Sequence, residues 1–202
     1  RYVRSASSRI AKATRINFRR KPTQFIDQAI VIPAPHTVWN YYHAMTESAY
    51  YLRFAQRNSH KVIVPYDHFK IIEYVADRLG ISRDRLISYE RARDSFVHRA
   101  ALPVPRGFYW SKEIYQFFRG LPERHGDVRK IYISRSLSGR GPENENEVEC
   151  AVSELGFTVV HAQNIPISDQ AELFSGTNLI IAPHGAGLSN LLYTQPGTKL
   201  IE

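Results

Sequence analysis

Pro183-His184-Gly185-Ala186-Gly187-Leu188-Ser189-Asn190 follows the apolar run Leu179-Ile180-Ile181-Ala182 and leads into Leu191-Leu192-Tyr193. Four apolar residues ending in a Gly-rich turn predict a buried strand of a parallel sheet. The two glycines let backbone approach a ligand, and Leu188 to Tyr193 are expected to start a helix. Unpaired N–H groups and a partial positive charge at a helix N-terminus suit a phosphate. His184 is then expected at the carboxyl end of the strand, where open α/β sheets take their ligands. The order strand, His, Gly-x-Gly, helix is far more specific than a lone Gly-x-Gly.

The same rhythm extends outward in both directions. Lys130-Ile131-Tyr132-Ile133-Ser134 predicts a strand, and Ser138 to Gly141 a loop. Pro142 suits a first helical position, with Glu143, Glu145 and Glu147 where the helix dipole favours anions. Val148, Val152 and Leu155 make the expected buried stripe, closed by Gly156. Phe157-Thr158-Val159-Val160 is the next strand, and Ser168 the expected N-cap of a helix from Asp169 to Phe174. Thr198-Lys199-Leu200-Ile201 is strand-like too.

In the first half, Ala29-Ile30-Val31-Ile32 is strand-like and stopped by Pro33. A helical pattern runs from His36 to about Phe54, Lys61 to Val64 predicts a strand, and Phe69 to Leu79 a helix closed by Gly80. Arg85 to Ser88 is a short strand. This alternation argues for parallel sheets with helices on their faces. Ala101-Leu102-Pro103-Val104-Pro105-Arg106-Gly107 sustains neither helix nor strand and reads as a linker, followed by a connecting helix from Tyr109 to Arg119. The expected architecture is two α/β domains, residues 1–107 and 108–202, facing each other across a cleft.

At 202 residues and 43% hydrophobic content the chain has ordinary globular composition. No run approaches the roughly 20 apolar residues that span a bilayer, and no charged-then-apolar leader is visible. With Arg1 first and Glu202 directly after a strand-like segment, the chain reads as cut at both ends. Cys150 is the only cysteine, which excludes an internal disulfide and a Cys-based metal site. A net charge of +8 favours an anionic partner. Much of the excess lies in Arg15 to Lys21 and in Arg83, Arg85, Arg91, Arg93 and Arg99; taken singly, most of these read as solvated surface.

Chemistry is expected at three places. On the helix from His36, an apolar stripe (Val38, Tyr41, Met45, Ala49, Leu52) opposes a polar one (His36, Asn40, His43, Glu47). The polar stripe lacks Lys and Arg and sets a His four residues before a Glu, so Glu47 can orient His43 and raise its basicity. The plainer alternative is a solvated face; a metal pair there lacks a third ligand at a recognisable spacing. Arg135, just past a strand end and near Arg140, suits bidentate binding of a diphosphate, or pairs with the Glu residues of the next helix. His184 is either a donor to phosphate or a leaving-group oxygen, or a histidine held by its turn. Glu202, one strand further on, can accept both ribose hydroxyls of a nucleotide, or is an exposed strand-end Glu.

Together these residues resemble glycosyltransferase family 61. The likeness rests on Ile131-Tyr132-Ile133-Ser134-Arg135, Asn144-Glu145, Gln170 with Leu173-Phe174, the Pro183–Asn190 stretch, and Pro196-Gly197-Thr198-Lys199-Leu200-Ile201-Glu202. In the first half Asn40-Tyr41-Tyr42-His43 matches the family's Asn-aromatic-aromatic-His element. Two positions depart from the family: Ala44 where Trp usually follows that His, and a diluted Arg-rich loop at Ser136-Leu137-Ser138-Gly139-Arg140. The first bears on acceptor contacts and the second on phosphate binding. The resemblance implies a GT-B-type pair of Rossmann-like domains and an inverting, metal-independent transfer from a nucleoside-diphosphate sugar to a glycan or protein acceptor. Bacterial relatives are annotated for capsular polysaccharide synthesis; eukaryotic ones glycosylate proteins or xylan in the secretory pathway. It places the protein in the cytoplasm if bacterial and in the secretory lumen if eukaryotic, with peripheral membrane association as a further expectation.

On this view Arg135, Arg140, Gly185, Ala186, Gly187, Asn190 and Glu202 bind the donor, a UDP-sugar. His184 assists the leaving group, His43 is the general base, and Glu47 orients it. No cofactor and no metal is expected, and no Asp-x-Asp pair occurs in the chain. The rival is a non-catalytic nucleotide- or nucleic-acid-binding module, supported by the basic N-terminal segment. Against nucleic acid, aromatic and basic residues are not interleaved in any recognised binding motif.

Overall fold

The structure is a computed structural model that describes residues 22–33, 39–103, 111–138 and 141–202. Arg15 to Lys21, His36, Val38, Arg140, most of the expected linker and the start of the connecting helix lie outside these residues.

Two four-stranded parallel sheets organise the described chain. The first contains β1 (Gln24–Val31), β2 (Lys61–Val64), β3 (Leu86–Ser88) and β4 (Ser95–Ala101) in the order β3-β2-β1-β4. The second contains β5 (Lys130–Ile133), β6 (Thr158–Val160), β7 (Leu179–Ile181) and β8 (Lys199–Ile201) in the order β6-β5-β7-β8. Val62, Ile63 and Val64 are all buried, as are Ile131, Tyr132 and Ile133. Burial of consecutive residues is what parallel strands covered on both faces require. The register aligns the carboxyl ends: Ile133 lies opposite Val160, and Ile181 opposite Ile201.

The strand β4 falls where the sequence shows little signal. Ser95-Phe96-Val97-His98-Arg99-Ala100-Ala101 pairs only with β1, at the sheet's edge, and most of its residues are exposed. An edge strand tolerates polar residues that mask the pattern. Ala101 therefore closes a strand rather than opening a linker.

The helices between strands are α1 (Tyr41–His43), α2 (Ile71–Arg78), α3 (Tyr89–Ala92), α4 (Lys112–Arg119), α5 (Glu145–Glu154) and α6 (Ile167–Gly176). The helical pattern expected to run on to about Phe54 is not one regular helix: α1 passes into a π-helical stretch, Ala44–Ser48, and a 3-10 stretch, Ala49–Ala55. Thr46 Oγ1 donates to the carbonyl of Tyr42 at 2.8 Å, and Ser48 Oγ to that of Pro33 at 2.8 Å. Such hydroxyl-to-backbone bonds compete with the helix's own ladder. The apolar stripe is nonetheless where it was expected, with Met45, Ala49 and Leu52 buried.

Three local details of the second half differ from the sequence pattern. The helix α5 begins at Glu145 rather than at Pro142, and Glu145 turns its carboxylate inward instead of lying on an exposed first turn. Leu155 is 65% exposed, since the helix has ended and Gly156 turns the chain with φ +77°. Pro166, not Ser168, occupies the N-cap of α6, and Ser168 Oγ donates instead to Asp169 Oδ1 at 2.9 Å.

One continuous cluster of buried side chains joins the two sheets' helices. Phe118 of α4 packs edge-on against Tyr193 at 5.8 Å, and Phe117 against Tyr50 at 5.4 Å. Fully burying a side chain of this size stabilises by about 1.5–3 kcal/mol. Among the described residues no helix is long and apolar enough to cross a membrane.

Candidate active site

In the second sheet β5 and β7 are neighbours, and the chain leaves them towards opposite edges, to β6 and to β8. Such a reversal opens a crevice at the carboxyl ends of the two strands, the usual ligand site of open parallel sheets. Ser134-Arg135 follows β5 there, and Pro183-His184-Gly185 follows β7. The Arg135 guanidinium donates to the His184 carbonyl, and a Cβ on Gly185 would lie 2.9 Å from Arg135 Nη1. Gly185 is extended (φ 165°), so its bare Cα matters for this close approach rather than for backbone freedom.

The chain then enters a 3-10 helix, Ala186–Tyr193, in place of the expected α-helix. This helix starts directly after Gly185, which lies against Arg135, and the unpaired N–H groups of a helix start favour an anion. Gly187 packs on β5, with 3.3 Å from a would-be Cβ to Ile133 Cγ2.

Arg135 is aimed from beneath. Glu145 is buried, and its Oε1 accepts from the Arg135 backbone N–H at 2.8 Å and from the Tyr132 hydroxyl at 2.9 Å. Burial, together with this bond to a carboxylate, raises the Tyr132 pKa well above the ordinary phenol value. Ser134 Oγ donates to Glu149 at 2.5 Å, which lowers the Glu149 pKa. Glu145 thus holds the backbone that carries the Arg135 side chain.

His184 Nδ1 and Glu202 Oε1 are 2.5 Å apart, although His184 is 92% exposed. The first half contributes Asn40 and Tyr42, which line a pocket of about 580 Å³ together with Arg135, His184, Gly185 and Glu202. Asn40 also caps the start of α1, its Oδ1 accepting from the His43 N–H at 3.4 Å. His43 Nδ1 lies 2.6 Å from Glu47 Oε1. Glu47 is buried rather than solvated, and its Oε2 has no hydrogen-bond partner among the described residues. A buried, half-satisfied carboxylate on a π-helical stretch is a common mark of a functional position.

Asn190 differs most from expectation. Its side chain is fully buried: Oδ1 accepts from the Tyr41 hydroxyl at 2.7 Å, and Nδ2 donates to Gln170 Oε1 at 2.9 Å. Gln170 Nε2 in turn donates to the carbonyls of Ala162 and Ile165, each at 2.8 Å. The pKa of Tyr41 is raised far above the ordinary phenol value by burial, with Tyr74 adding to the rise and the Asn190 bond opposing it. This network ties the first half to the turn after β7.

The sequence profile described as Glycosyltransferase 61 matches residues 13–201. The chain belongs to glycosyltransferase family 61. No curated protein matches it. It is a glycosyltransferase, and its machinery must therefore take a sugar donor and an acceptor.

For this family 61 glycosyltransferase, the structure brings His43 to Glu47, His184 to Glu202, and Arg135 to His184 and Gly185. Glu145, Tyr41 and Gln170 escaped the sequence as supporting residues. Glu145 read as a dipole-favoured helix glutamate and Tyr41 as apolar stripe, and neither pattern encodes a long-range partner. Asp67 caps α2 through bonds to the N–H groups of Ile71 and Glu73, both at 2.9 Å. Arg83 pairs with Asp77 and Glu73, and Arg85 donates to carbonyls of His60 and Ala55, so these two basic residues are structural.

Proposed function

We propose that this glycosyltransferase performs an inverting, metal-independent transfer from a UDP-sugar, with two Rossmann-like domains (residues 1–107 and 108–202) facing each other in the GT-B manner. The observation that carries the proposal is the convergence of Arg135, His184 and Gly185 where β5 and β7 diverge. A diphosphate there meets a guanidinium able to bind bidentately and the N-terminus of the 3-10 helix. Ala186 and Gly187 offer backbone, and Arg140, five residues after Arg135 in sequence, is assigned to the same anion.

The acceptor hydroxyl oxygen attacks the anomeric carbon while His43 takes its proton. The bond from that carbon to the terminal phosphate oxygen breaks, and the electron pair leaves with the diphosphate. Because Nδ1 of His43 is bonded to Glu47, Nε2 is the nitrogen assigned to the proton. His184, held by Glu202, donates to the leaving oxygen, and the second oxygen of Glu202 accepts from the ribose. One displacement needs one base, and the departing charge is met by cationic groups and backbone dipoles. Asn190 positions the turn rather than touching the donor, because its amide is committed to Tyr41 and Gln170.

Calorimetric titration with UDP in the presence of a chelator tests this. Binding is expected without added metal, and Arg135→Ala is expected to weaken it by about 1.5–3 kcal/mol with little change in melting. Binding that disappears with chelator and returns with manganese overturns the metal-free mechanism. A folded variant that binds UDP normally removes Arg135 from the site.

A further inference from the structure

The two oxygens of the buried Glu145 carboxylate have different surroundings. Oε1 accepts both bonds, from the Arg135 N–H and from the Tyr132 hydroxyl. Oε2 is buried and has no hydrogen-bond partner among the described residues. Burying a carboxylate with one oxygen unsatisfied works against folding, which points to a role in the site rather than in stability.

The chain leaves β5, passes Arg135 and returns at Gly141 onto the same two groups. A Cβ on Gly141 would lie 2.8 Å from Glu145 Oε2 and 3.1 Å from the Arg135 carbonyl oxygen. A bare Cα fits there, and a side chain would press on both. The neighbours of Arg135 are fixed as well. Ser134 Oγ donates to Glu149, four residues after Glu145, at 2.5 Å, and the Ser136 N–H donates to Ser134 Oγ at 3.1 Å. At its other end the Arg135 guanidinium donates to the His184 carbonyl, across the divergence of β5 and β7.

We propose that Glu145 and Gly141 are positioning residues for Arg135. The carboxylate sets the Arg135 backbone, and the bare Gly141 lets the chain close over that bond, so the guanidinium is held where a diphosphate meets it. Bidentate contact needs a fork placed to within about 0.5 Å and 10–20°. Neither Glu145 nor Gly141 lines the pocket that holds Arg135, His184 and Glu202, so both act through Arg135. This inference rests on the reading of Arg135 as the diphosphate ligand.

The test titrates UDP calorimetrically into Glu145→Ala, Glu145→Gln and Gly141→Ala, each alone and combined with Arg135→Ala. Glu145→Ala and Gly141→Ala are each expected to weaken UDP about fivefold or more. Glu145→Gln, which keeps an acceptor oxygen for both donors, should recover most of the loss. In the Arg135→Ala background the same changes are expected to add nothing, because there is no guanidinium left to position. Glu145→Ala strands a buried N–H and hydroxyl and should melt earlier. Gly141→Ala removes no hydrogen-bonding group, so it decides the matter if Glu145→Ala does not fold. Exchange of the Arg135 amide proton, followed by NMR, is expected to quicken in both. Wild-type UDP affinity in Gly141→Ala, or equal losses with and without Arg135, overturns the proposal. Failure of the wild type to bind UDP, or unchanged binding in Arg135→Ala, refutes the donor reading instead. The positioning role then stands if amide exchange quickens and falls if it does not.

Discussion

His43 and Glu47 show how much a single contact can ask of a fold. Burying a carboxylate is costly unless its oxygens are satisfied, and only Oε1 of Glu47 is bonded, to His43 at 2.6 Å. The exposed pair of His184 and Glu202 has the same geometry but is wetted, so its electrostatic coupling is weaker. The buried pair is accordingly the one proposed to carry proton transfer. His43→Ala is expected to lower turnover on the order of 10²–10⁴-fold while leaving UDP affinity unchanged. Glu47→Gln should lower it less, since it orients and polarises the imidazole without taking the proton. Steady-state transfer assays paired with calorimetry check both, and wild-type turnover in the His43 variant would remove the base assignment.

At the scale of elements, the glycines separate two kinds of constraint. Gly80 and Gly156 turn the chain with φ +66° and +77°, and nothing crowds their missing side chains. Gly176, the last residue of α6, is the opposite case: a Cβ there would lie 1.7 Å from the carbonyl oxygen of Gly126. The two segments are locked by the Gly126 N–H bond to the Glu172 carbonyl at 2.9 Å. Backbone cannot move aside as a flexible side chain can. Gly176→Ala should therefore destabilise by about 3 kcal/mol, read as a fall in the chemical-denaturation midpoint. Gly185→Ala meets only the movable end of Arg135 and should fold.

Among the described residues, the two halves share a buried cluster and a polar tie. The Tyr41 hydroxyl reaches Asn190 across 149 residues of sequence, inside a core that also holds Phe118 and Tyr193. The described chain should thus unfold in a single cooperative transition, followed by calorimetric melting. Tyr41→Phe strands the Asn190 oxygen and should lower stability by about 1–3 kcal/mol while keeping one transition. Two separated transitions in the wild type would show instead that the halves melt independently.

Most of the strands, the parallel class and the turn after β7 were legible in the sequence. Apolar runs such as Ile131-Tyr132-Ile133 and Leu179-Ile180-Ile181 report burial on both faces directly, and Gly80 and Gly156 report their own turns. The approach of His43 to Glu47 was legible too, being set by local helical spacing. What the sequence could not decide was every partner chosen from far away. Glu145 lies under Arg135, Asn190 is withdrawn into the core, and β4 is an edge strand, because each depends on which segment folds against it. Periodicity encodes which face of an element is buried; only tertiary structure decides what a buried polar group meets there, since its hydrogen bonds must be satisfied by whatever the fold brings near.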